Sequence, residues 1–123
     1  MPPLTMTTAL QLIVGLGLLN VWLLRARSAT AYRGGASTNL KAEFAAYGLP
    51  EPVFWLVGAL KVTAGVVLVA GLWLTLPVQW AAVIVSMLML GALAMHAKVK
   101  DPAIKSLPAA LMLAMSLGIV YLA

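Results

Sequence analysis

The apolar positions of the chain fall into four long runs set apart by charged and turn-forming residues. The first covers about 4–24 and is interrupted only by threonines, Gln11 and Asn20. The second covers about 53–74 and holds one ionisable residue, Lys61. The third and fourth cover about 77–97 and 103–122. Runs of roughly 20 residues match ~30 Å of hydrocarbon at ~1.5 Å per residue, so each predicts a membrane-spanning helix. A different pattern lies between the first two. Leu40, Phe44 and Tyr47 recur at helical spacing, Lys41 and Glu43 fall on other faces, and Gly48 and Pro50 close the segment. This predicts a short amphipathic helix over about 39–47, on the membrane surface or tucked under the bundle. The stretch 28–38, with Gly34 and Gly35, is expected to be irregular. The expected fold is an all-α membrane protein, a four-transmembrane-helix bundle forming one domain over residues 1–123. Asp101 and Pro102 read as an N-cap and a first-turn proline, while Pro108 predicts a kink or a helix start after Ser106.

Composition narrows the class. The chain is 63% hydrophobic and 9% charged, against about 25% charged for soluble domains. That is too little polar surface for an ordinary soluble enzyme, a disordered tail or a nucleic-acid-binding module. The chain has no cysteine, which excludes disulfides and thiolate metal sites.

Charge gives orientation. Arg25, Arg27, Arg33 and Lys41 lie between the first two runs, and Lys98, Lys100 and Lys105 lie around the junction of the last two. The turn at 75–79 carries no charge. Cytoplasmic segments collect Lys and Arg, so this side is expected inside and both termini outside. No basic residue precedes the first run and two arginines follow it, the reverse of a secretory signal. It is expected to stay as a helix. Trp22 and Trp55 are placed at the inner boundary, and Trp73, Trp80 and Tyr121 at the outer one.

Few polar residues remain to carry chemistry. Lys61 lies about 12 Å along its helix, where an unpaired charge costs at least ~2.5 kcal/mol. Gly58 and Gly65 share its face, and glycines mark close helix packing, so Lys61 is expected to face the bundle. It is either a ligand-facing or proton-handling group, or structural glue paired with Glu51, Glu43 or helix-end carbonyls. Asn20, Lys61 and His96, with Tyr47 and Glu51, fall at one axial level. They form either a ligand-binding polar pocket or a set of interhelical hydrogen bonds. His96 has no second histidine or cysteine beside it, so no metal site is assigned and His96→Ala is expected to be mild. Gln11 reads as separate interhelical glue, and the methionines as packing. No phosphate loop, nucleophile elbow or paired carboxylate is present, so no catalytic residue is assigned.

Two stretches carry a resemblance. Asn39 to Pro50 continuing into Leu56 to Val62, and Leu90 to Pro102 followed by Lys105 to Ala109, resemble the small bacterial DoxX-like membrane proteins over about residues 8–120. The resemblance implies a four-helix bundle in a bacterial inner membrane. The family takes its name from subunits associated with a quinone-linked thiosulfate-oxidising system, and it has no agreed catalytic residues to carry over. A quinone is the candidate cofactor this implies. The expected function is a non-catalytic subunit or assembly factor of a larger inner-membrane complex. The alternative is a quinone- or lipid-like small-molecule site around Lys61. The expected partners are the bilayer and other membrane subunits or further copies of the chain, and not nucleic acid.

Overall fold

Thr5 opens the first helix, its hydroxyl accepting from the Thr8 N–H while Thr8 reaches back to the Thr5 N–H. The computed structural model describes residues 5–24 and 39–123, so Arg25, Arg27, Arg33 and the stretch expected to be irregular lie outside the described residues. Helix α1 runs Met6–Leu19 and passes into a π-helical turn, Asn20–Leu24. The short α2 covers Leu40–Ala46, and the long helices α3, α4 and α5 cover Glu51–Ala70, Val78–Lys98 and Ala103–Leu122. Four of these segments are long and apolar enough to cross a membrane. The chain is an integral membrane protein of multi-pass, four-helix architecture.

The helices form a closed ring in which α1 lies beside α3, α3 beside α4, α4 beside α5, and α5 beside α1. Val14, Leu18, Leu68, Ala82, Val85 and Ile119 fill its centre and are almost wholly buried. In the α1–α3 seam the backbones come close together. A Cβ built on Gly15 would stand 2.7 Å from Val69 Cγ2, and one on Gly65 would stand 3.1 Å from the Gly15 carbonyl. Only glycine allows backbones so near one another. Gln11, buried in the same seam, donates from Nε2 to the Leu68 carbonyl at 3.1 Å. That carbonyl is free because the end of α3 tightens, with Leu72 N–H bonding to Val69 instead. The tightening also ends the helix at Ala70, four residues short of the expected span.

Two other expectations change. Helix α5 begins at Ala103, where the fourth run does, and continues through Pro108 without the bond to the Ile104 carbonyl, so the alternative start after Ser106 is not taken. Pro102, not Asp101, occupies the cap of α5, without a side-chain cap bond. The ring of Trp22 packs on Gly58.

Helix α2 is closed at both ends. The Asn39 side chain accepts from the Ala42 N–H at 2.7 Å as an N-cap. At the other end Gly48 takes φ 77, and the N–H groups of Gly48 and Leu49 bond back to Ala45 and Phe44. This pairing is a Schellman motif, and it needs the left-handed residue that glycine supplies.

Candidate functional site

The polar and aromatic groups gather at one pole, where α1 ends, α3 begins, α4 ends and α5 begins. Its floor is aromatic. Trp22 sits 5.2 Å from Phe54 and 5.9 Å from Phe44, centroid to centroid, and Phe44 meets Phe54 edge-on at 5.4 Å. A Cβ on Gly58 would fall 2.6 Å from Trp22 Cζ3, so the absent side chain is what seats the indole. Lys61, one turn along α3, brings its Nζ to 5.6 Å from the Trp22 ring centroid, within cation–π range.

The chain of rings continues from Phe44 to Tyr47 and from Tyr47 to His96, whose centroids lie 5.7 Å apart and nearly perpendicular. His96 is buried near the end of α4. Its Nδ1 lies 2.8 Å from Asp101 Oδ2, and both side chains are over nine-tenths buried. The backbone produces this pairing. Lys100 takes φ 57, and the N–H groups of Lys100 and Asp101 bond back to the Ala97 and His96 carbonyls. This is the same closure as in α2, now built on a lysine where glycine is usual. It turns Asp101 back over His96, so the two residues are joined through main chain and side chain alike. Pro102 then prevents α4 from continuing.

The hydroxyl of Tyr47 lies 3.5 Å from Nδ1 and 3.4 Å from Nε2 of His96, at the long end of hydrogen bonding. Nδ1 thus faces the carboxylate, and the phenol lies within reach of the same ring. Lys98 donates from Nζ to the Tyr47 carbonyl at 2.9 Å, and Lys105 lies 3.8 Å from Asp101 Oδ1. The arrangement is a buried chain of phenol, imidazole and carboxylate flanked by two ammonium groups. Such a chain can hold a proton or move one between its members.

Of the residues singled out in the sequence, Tyr47 and His96 come into contact here. Glu51 is exposed, paired with Lys41 at 2.9 Å and accepting from Trp55 Nε1 at 3.3 Å. Asn20 is exposed at the start of the π-helical turn. Lys61 lies against Trp22, Gly58 beneath the same ring, and Gly65 against Gly15. Among the described residues, no group of His, Asp and Glu is placed to hold a metal ion.

Asp101, Lys98 and Trp22 were not singled out as site residues. For Asp101 a signal existed: it is the one acid after Glu51, five residues from the lone histidine across a predicted turn.

The family model described as the DoxX-like family matches residues 16–119, which includes every residue named at this pole. No curated protein and no solved structure matches the chain.

Proposed function

The chain belongs to the DoxX-like family, and from that premise we propose that it is a non-catalytic subunit or assembly factor of a larger inner-membrane complex. One observation carries this reading. The helices meet at glycines, leaving the α1–α3 seam no room for a ligand. Exposed Leu, Ile, Met and Trp side chains cover the outside of the ring, including Trp80, Met87 and Leu90 along α4. Gly91 on that helix has open space where its Cβ would be, and small residues are where membrane helices approach one another. In this reading the basic pole faces the cytoplasm and both termini the periplasm.

The test is native mass spectrometry of the protein extracted from its own membranes in mild detergent. Foreign chains at fixed stoichiometry support the proposal. A homo-oligomer carrying a mass of quinone or lipid size overturns it.

That second outcome corresponds to a reading favoured by the buried contact of Tyr47 with His96 beside the aromatic floor. Hydrogen-bonding groups edged by rings suit a planar, lipid-soluble ligand such as a quinone. Purified Lys61→Met separates the two readings. Unchanged quinone binding by this variant rules out a site built on Lys61, and lost binding by a folded variant supports it.

A further inference from the structure

We propose that the α4–α5 turn binds one anionic phospholipid, its phosphate held by Lys98, Lys100 and Lys105 and an acyl chain laid along α5. The three lysines stand on the last turn of α4, the connecting turn and the first turn of α5. The turn contains one acid, Asp101, whose side chain is over nine-tenths buried with Oδ2 2.8 Å from Nδ1 of His96. Its negative charge is thus held inside, while Lys98 and Lys100 are exposed. Lys105 is partly exposed, its Nζ 3.8 Å from Asp101 Oδ1. On the α2 side the carboxylate of Glu51 is paired with Lys41 at 2.9 Å. The surface of this corner is therefore positive, and an anion complements it.

Two of the lysines are set for such a role by the backbone. Lys100 holds φ 57 although it is not glycine. Strain of this kind collects at functional positions, and what lysine offers here beyond glycine is its ammonium. Lys98 donates from Nζ to the Tyr47 carbonyl at 2.9 Å, which fixes the ammonium at the end of α2. An ammonium carries three donors, so this bond does not exhaust it. The neighbouring surface identifies the anion as a lipid. Ile104, Leu107 and Leu111 recur at i, i+3 and i+7 on α5, and all three are exposed. They form one apolar stripe that starts beside Lys105 and runs along a helix long enough to cross the membrane. A phospholipid presents its charge and its chains in this same order, and lysine stems lie along the boundary between them. Inorganic phosphate would use the lysines and leave the stripe idle.

The test is native mass spectrometry of the full chain in mild detergent, with dioleoyl phosphatidylglycerol or dioleoyl phosphatidylcholine added. The first phosphatidylglycerol is expected to bind at least roughly tenfold more tightly than phosphatidylcholine. Lys100→Gln should weaken it roughly fivefold, the size of one lysine's attraction to an anionic headgroup, and the double change Lys98→Gln with Lys100→Gln roughly twenty-fivefold. Lys100→Gln decides the matter if the double variant does not fold. Adding Glu51→Gln to Lys100→Gln restores the formal net charge to +5, and binding should stay weak. Millimolar inorganic phosphate should not displace the lipid. Equal binding of the two lipids, unchanged binding in Lys100→Gln, recovery with Glu51→Gln, or displacement by inorganic phosphate overturns the site.

Discussion

Nδ1 of His96 lies 2.8 Å from Oδ2 of Asp101, and the Asp101 N–H bonds to the His96 carbonyl at 3.0 Å. Two residues five apart are thus tied twice. Removing the imidazole takes away the 2.8 Å contact of a buried carboxylate. His96→Ala should therefore destabilise the protein by about 1–3 kcal/mol, the usual loss when a buried polar group loses a hydrogen-bond partner. Asp101→Asn keeps an acceptor for Nδ1–H and should cost less. Thermal unfolding in detergent, followed by circular dichroism, ranks the two, and equal losses would contradict the argument.

Lys100 is the strained member of this turn. A non-glycine residue held near φ 57 gives up about 1–2 kcal/mol that glycine would not. Lys100→Gly should raise the unfolding midpoint, by an amount reduced by the greater freedom of glycine in the unfolded chain. A lowered midpoint would mean that the lysine ammonium contributes more than its backbone costs.

The glycines divide by what surrounds them. Gly15→Ala drives a methyl to within 3.0 Å of the Gly65 carbonyl, and main chain cannot easily yield. Gly58→Ala meets the Trp22 ring at 2.6 Å. Each should cost about 1–3 kcal/mol through overpacking. Gly91→Ala enters open space and should be neutral or slightly stabilising in the isolated chain. If Gly91→Ala instead reduces recovery of partner chains while leaving the unfolding midpoint unchanged, α4 is the contact face.

Gln11 caps a carbonyl that the end of α3 leaves without its helical partner. Gln11→Leu fills similar volume but leaves the Leu68 oxygen buried and unbonded, a loss of about 1–3 kcal/mol. Hydrogen exchange should then quicken at Gly71 and Leu72 and remain unchanged around His96. A uniform loss of protection would show that Gln11 supports the whole bundle and not this end alone.

The order of the helices was legible from sequence and the azimuth of each side chain was not. Counting residues from the charged segments placed Asn20, Tyr47, Glu51, Lys61 and His96 at one level; Tyr47 and His96 meet, Glu51 opens α3, and Lys61 stands midway along that helix. Which way each points depends on helical phase. The π-helical turn that starts at Asn20 changes that phase, while Asn20 itself stays exposed. Asp101 escaped for a different reason. Its local pattern, an acid before a proline, is that of a helix cap, and its contact with His96 arises only when Lys100 adopts a left-handed conformation. No local preference of lysine announces that. The long helices and the close of α2 at Gly48 were readable because each is written in contiguous residues.

The wide turn at Asn20–Leu24 also bears on how the chain tolerates changes in length. A π turn holds about one residue more than the α turn it replaces, and one residue corresponds to roughly 100° of rotation. Excising a single residue there would restore an unbroken α-helix and swing the indole of Trp22 off its glycine seat. The hollow left above Gly58 would then accommodate an alanine or a larger residue. Residue count in the first helix and side-chain size at position 58 are therefore coupled variables, and a shortened chain should regain its packing when the glycine is replaced.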